Sequence, residues 1–142
     1  MKTKKEFIKY KQALILKELG FDEPCIGWYN PQVNYKEVTT DKYWAFHLTG
    51  EWENFKSAPL YQQAFRWLRE RYPIYSIINI RILDSLIVTR FCYNIFNLKN
   101  KKMFKSNYYD TYDEACIACL DKIIKMIKKN KYEQIEYEET EE

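Results

Sequence analysis

Two adjacent runs, IYSIINIRI (74–82) and LIVTRFCYNIF (86–96), constrain the fold more than any other stretch of the chain. In the first, Ile78, Ile80 and Ile82 alternate with Asn79 and Arg81, the two-residue period of a half-buried strand. The second is rich in β-branched and aromatic side chains, which fit a pleated surface. Asp84 and Ser85 supply a turn between them, so the two runs are expected to pair antiparallel. The lysine-rich turn NLKNKK then leads to a third short strand around MFKS.

Three helices surround these strands. In the first, Thr3 caps and Glu6 closes a capping box, and Gly20 suits the left-handed turn that follows a helix, with Phe21 placed to contact Leu16. Phe7, Tyr10 and Leu14 form its expected buried stripe. The second starts at Ser57 or Ala58, tolerates Pro59 in its first turn and ends at Pro73. It buries Tyr61, Ala64, Phe65, Leu68 and Tyr72, while Arg66, Arg69 and Glu70 face away. In the third, Thr111 stands three residues before Glu114 as a capping box, acids open the helix and Lys128 and Lys129 complement its far end.

The segment between the first two helices has β-prone stretches at Cys25 to Tyr29, Val33 to Val38 and Tyr43 to Leu48, with turns near Asn30-Pro31, Asp41-Lys42 and Gly50. It is expected to form a meander or long hairpin. These elements describe an α+β fold in which an antiparallel sheet packs against two or three helices, the C-terminal part running helix-strand-strand-strand-helix. A single domain over 1–131 is expected, with the N-terminal helix and meander in 1–56 and the remaining elements in 57–131. The segment 132–142 carries six of the 20 acids and none of the 23 Lys and Arg, leaving 23 bases against 14 acids elsewhere, a net +9. It is expected to be a mobile, solvated acidic tail.

The pattern Cys116-x-x-Cys119 raises the question of metal or redox chemistry. A closed zinc site needs four ligands, and the chain adds only Cys25, Cys92 and His47, with no second short-spaced pair. A thioredoxin-like pair stands at a helix N-terminus, whereas these cysteines follow a turn already capped by Thr111. Cys116, Cys119 or Leu120, Ile123 and Ile127 share one helical stripe, so core packing is expected and neither metal nor cofactor is implied. The lone histidine, His47, lies near Glu51 and Glu53, but no nucleophile motif, phosphate loop or metal pattern accompanies it. The expectation is that the protein is not an enzyme. The basic start is interrupted by Lys9, Lys11, Lys17 and Glu18, with no signal-peptide core and no membrane span, so a cytoplasmic location is expected.

Binding is the better signal. Aromatic residues make up 18% of the chain, including 13 Tyr and four Trp, more than a domain of this size buries completely. Trp28, Tyr29, Trp44 and Trp52 are the candidates for a protein interface. In LKNKKMFKSNYYDTY, Lys99, Lys101, Lys102 and Lys105 suit phosphates, and Tyr108, Tyr109 and Tyr112 suit stacking. With Arg66 and Arg69, they are the candidates for binding a nucleic acid or nucleotide. The plainer reading is a solvated turn followed by tyrosines packed under the third helix.

From Pro59 to Lys129 the element order is similar to that of the double-stranded-RNA-binding fold. That family opens its final helix with lysines that grip phosphates. Here TYDEAC carries Asp113 and Glu114, so the likeness is topological and transfers no RNA-contacting residue. The phrases ALILKELGFDEPC, APLYQQAFRWLRERY and YDTYDEACIACLDKII, in that order, resemble small uncharacterised proteins of Bacteroidetes phages and mobile elements. That family has no established activity. Together with the excess of aromatics, the resemblance leads to the expectation of a non-enzymatic accessory protein that binds a host protein, such as a component of antiviral defence. The alternatives are a protein that sequesters a nucleic acid or nucleotide signal, and a structural virion component; a homo-oligomer is compatible with each.

Overall fold

The order of elements is α1 (Tyr10–Glu18), β1 (Gly27–Asn30), β2 (Asn34–Thr39), β3 (Lys56–Ala58), α2 (Tyr61–Arg71), β4 (Ile74–Leu83), β5 (Val88–Asn97), β6 (Lys102–Lys105) and α3 (Tyr112–Thr140). The structure, a computed structural model, describes residues 5–30, 34–40, 56–83 and 88–140. The α+β class and the C-terminal order helix-strand-strand-strand-helix are as the sequence indicated. The chain differs from the expected single domain in dividing into two compact units, Met1–Leu68 and Arg69–Glu142, and in forming two separate three-stranded sheets.

In the first unit the antiparallel sheet runs β2-β1-β3. Gly27 stands opposite Ala58, and a Cβ at Gly27 would lie 2.6 Å from Phe7 Cε1 and 2.8 Å from Val38 Cγ2. The absence of a side chain therefore lets Phe7 close over the sheet. Phe7 bridges to Leu60, and the Ile8 N–H donates to the Pro59 carbonyl at 3.0 Å. Consequently Lys56–Ala58 is a strand, where Ser57 or Ala58 was expected to cap α2, and the helix begins at Tyr61.

Helix α1 also starts later than Thr3, which lies outside the described residues. Its first backbone N–H groups follow Lys9, whose own N–H donates to Gln12 Oε1 at 3.0 Å. Starting there turns a different face inward: Ala13, Leu16 and Gln12 are buried, while Tyr10 and Leu14 are half-buried. Gln12 is tolerated in the core because its Oε1 also accepts from the Tyr61 hydroxyl at 3.0 Å. The far end is as expected. Gly20 has φ 104°, its N–H donates to Lys17 O and the Phe21 N–H to Leu16 O, the paired bonds of a Schellman cap.

In the second unit β4 and β5 pair through all ten positions from Ile74 opposite Asn97 to Leu83 opposite Val88, and β6 adds to the far side of β5. The 98–101 turn is closed by Asn97 Oδ1, which accepts from the Lys99 N–H, and by Asn100 Oδ1, which accepts from the Lys102 N–H, each at 3.0 Å. The expected turn at Asp84 and Ser85 lies outside the described residues. Helix α3 opens as expected, with Thr111 Oγ1 accepting from the Glu114 N–H at 3.1 Å. It then continues to Thr140, through most of the segment expected to be a mobile tail. No Gly or Pro interrupts 130–140, and Lys, Glu and Gln are good helix formers.

Candidate functional site

The two faces of the β4-β5-β6 sheet have different neighbours. Side chains alternate along a strand, so the register sorts them. On one face lie Ile74, Ser76, Ile78 and Ile80 of β4, opposite Asn97, Ile95, Tyr93 and Phe91 of β5, with Phe104 of β6 beside Ile95. Helix α3 packs here. Cys119 hydrogen-bonds to Ser76, Tyr112 meets Phe91 edge-on at 6.0 Å, and Lys122 Nζ sits 4.4 Å from the Phe104 ring centroid. Ala115, Cys116, Cys119, Leu120, Ile123, Ile124 and Ile127 form the buried stripe of the helix.

The C-x-x-C pair thus belongs to the core. Burial pushes the Cys119 thiol up to about 12 and the Cys116 thiol up to about 11, the opposite of what nucleophilic or metal-binding thiols need. Among the described residues no group of three or more His, Cys, Asp and Glu is placed to hold a metal ion. His47, Glu51 and Glu53 lie outside the described residues.

The other face carries Tyr75, Ile77, Asn79 and Arg81 of β4, opposite Phe96, Asn94, Cys92 and Arg90 of β5, with Met103 and Lys105 of β6 completing the first two rows. Tyr75 is 44% exposed, Ile77 51% and Met103 60%. After β6 the chain pairs once more, Tyr109 with Phe91, through reciprocal N–H to carbonyl bonds of 2.9 and 2.6 Å. Tyr108 therefore falls on the open face. Its hydroxyl accepts from Arg81 Nη1, its ring lies 5.4 Å from the Arg81 guanidinium carbon, and Lys105 Nζ stands 5.9 Å from the same centroid.

Two features of this face carry a cost within the sheet itself. Arg81 and Arg90 are direct cross-strand neighbours, an arrangement that like charges disfavour. Asp110 pairs with Arg90, and Arg81 leans on Tyr108 instead of a carboxylate. No acidic residue occurs among the described residues of β4, β5 and β6 on this face. In the row between Ile77 and Lys105, the Oδ1 of Asn94 is buried and has no hydrogen-bond partner among the described residues. Buried acceptors are normally satisfied, and this one is an exception within the sheet.

The candidates named from sequence are dispersed. Lys105 and Tyr108 meet on the open face. Lys99, Lys101 and Lys102 are exposed around the 98–101 turn, with Lys101 in the left-handed region at φ 59°. Tyr109 turns to the helix side and stacks on Tyr93 at 6.1 Å, in line with the plainer reading of packing under α3. Arg66 belongs to the first unit and pairs with Glu23 at 3.3 Å, while Arg69 falls in the second unit.

Trp28 and Tyr29, expected at a protein interface, are buried in the first unit instead. Sheet pairing on both sides of β1 and the 2.6 Å bond from the Tyr29 hydroxyl to the Ile8 carbonyl hold them there, and burial pushes the Tyr29 phenol up to about 12. Trp44 and Trp52 lie outside the described residues. Arg81, which completes the Lys105 and Tyr108 cluster, was legible only as the polar phase of an alternating strand. Neither a protein-family model, nor a curated protein, nor a solved structure matches the chain. No helix among the described residues is long and apolar enough to cross a membrane.

Proposed function

We propose that this is a non-enzymatic binding protein of a phage or mobile element, and that its second unit holds single-stranded nucleic acid on the open face of β4-β5-β6. The observation that carries the reading is the opposed Arg81 and Arg90, with Lys105 and an exposed Tyr108 beside them and no carboxylate on the three strands of that face. Arg90 is paired with Asp110, so Arg81 and Lys105 are the charges that phosphates would meet. Tyr75, Phe96 and Met103, which share one row across the sheet, offer flat apolar surface to unstacked bases. The exposed lysines of the 98–101 turn extend the positive potential beyond the strands.

A second reading, capture of a host protein such as a defence component, is favoured by Ile77 and Met103, which are aliphatic and more than half exposed on the same face. The two separate by salt. Fluorescence-anisotropy titration of a labelled single-stranded oligonucleotide is expected to show affinity that falls with salt, by roughly 0.7 in log-log slope for each phosphate neutralised. Absence of binding at low salt would reject the nucleic-acid reading. Retention of a host protein that survives high salt and is lost in Met103→Glu would favour the second.

A further inference from the structure

The two edges of the second unit's sheet are built differently. β6 is four residues long, exposed throughout, and carries Lys102 and Lys105. Just beyond it the ladder is irregular: the Tyr93 N–H is taken at 2.9 Å by the Ser106 hydroxyl, and one extra residue is accommodated before Tyr109 resumes pairing with Phe91. Shortness, lysines and a bulge are devices that keep an edge from pairing with another chain.

β4 has none of them. It runs ten residues without proline, its one charge is Arg81, and among the described residues its outer side pairs with no strand. At its far half Ile80 is 60% exposed and Ile82 67%, on the face that α3 covers elsewhere. The first residue of α3, Tyr112, reaches Phe91, which is opposite Ile80, so the hairpin continues past the start of the helix.

We propose that β4 pairs antiparallel with β4 of a second copy of this chain, about a two-fold axis perpendicular to the sheet, joining two three-stranded sheets into one of six strands. Such an axis keeps each face on its own side, so opposed residues must share the two-residue phase. A register centred on Arg81 sets two arginines against each other. A register centred on Ile80 sets Ile80 against Ile80, Ile78 against Ile82, and Arg81 against the uncharged Asn79. That pattern covers both exposed isoleucines and separates the arginines, so self-pairing satisfies the strand's apolar and charge pattern together. Because the two-fold axis sets β4 of each copy against β4 of the other, the pairing uses up both strands and closes as a dimer. It also doubles the length of the open face.

The test is the mass of the full chain in solution by size-exclusion chromatography with light scattering. The expected mass is twice 17.4 kDa, falling to 17.4 kDa in the double variant Ile80→Lys, Ile82→Lys, whose circular dichroism is unchanged because both sites are exposed. A wild-type mass of one chain at the highest soluble concentration, or a double variant that stays dimeric, overturns the proposal. The register has its own check. Ile80→Cys places a thiol against its own copy within disulfide reach, and the four native cysteines are buried, so mild oxidation is expected to link the chains. A dimer that Ile80→Cys does not cross-link, while Ser76→Cys does, overturns the register.

Discussion

One three-stranded sheet in this molecule presents two faces of similar apolar content and opposite use. On the helix side Ile74, Ile95 and Tyr93 are buried against α3, and polar groups there are paired, as Ser76 is with Cys119. On the open side Tyr75, Ile77 and Met103 remain in solvent, two arginines oppose each other, and Asn94 keeps an acceptor unpaired. Burial of apolar surface explains the first face as stability. It does not explain the second, where exposed apolar side chains share the surface with two opposed arginines.

Mutations should separate the faces. The largest expected effect is on the helix side, where Leu120→Ala or Ile95→Ala removes a fully buried side chain and should cost about 2–5 kcal/mol in urea unfolding. Ile77→Ala, on the open face, should change stability by no more than about 0.5 kcal/mol. Comparable costs for the two would mean that the open face is covered by part of the same chain.

Next in size is a pH effect from buried thiols and phenols, those of the helix side together with Cys25 and Tyr29 of the first unit. Cys116, Cys119 and Tyr93 are all pushed upward, first by burial. Below the ordinary thiol value of 9 both folded and unfolded chains hold these protons, so stability is level there. Above it the unfolded chain releases protons that the folded chain keeps, so stability should fall between pH 9 and about 12. Equilibrium unfolding across that range checks this. Rapid labelling of Cys116 and Cys119 by a thiol reagent in the native protein near neutral pH would contradict their placement in the core.

On the open face, Tyr75→Ala should weaken oligonucleotide binding by about 1–3 kcal/mol if its ring stacks on a base. The smallest effect is the most diagnostic. Arg81→Glu replaces a like-charge cross-strand pair with an opposite one and should leave the fold unchanged or raise its stability by about 0.2–1 kcal/mol, while binding falls. A variant that loses both stability and binding would reduce Arg81 to a structural role.

How much of this was legible in the sequence follows from how local each determinant is. The β4-β5 hairpin rests on the alternation from Ile78 to Ile82 and on a β-branched and aromatic partner run, and the start of α3 on Thr111 and Glu114, so both could be read directly. The three-residue strand Lys56–Ala58 exists through pairing with Gly27 to Tyr29, and its Ser-Ala-Pro spelling resembles a helix cap. The continuation of α3 through the glutamates depends on the absence of a stop signal, which a reading by charge overlooks. Composition showed too many aromatics to bury but not which ones emerge. Trp28 and Tyr29 went inside and Tyr75 and Tyr108 outside. Arg81 shows the limit most clearly, because alternation assigns a side chain to a face, and only the packing of α3 decides which face meets solvent.

The most direct measurement is methyl NMR of isoleucine-labelled protein titrated with a single-stranded oligonucleotide. The account predicts that the Ile77 methyl signal shifts progressively while those of Ile95 and Ile123 stay in place. Saturating oligonucleotide that leaves Ile77 unmoved, or that shifts the buried isoleucines instead, would contradict the assignment of the open face as the binding surface.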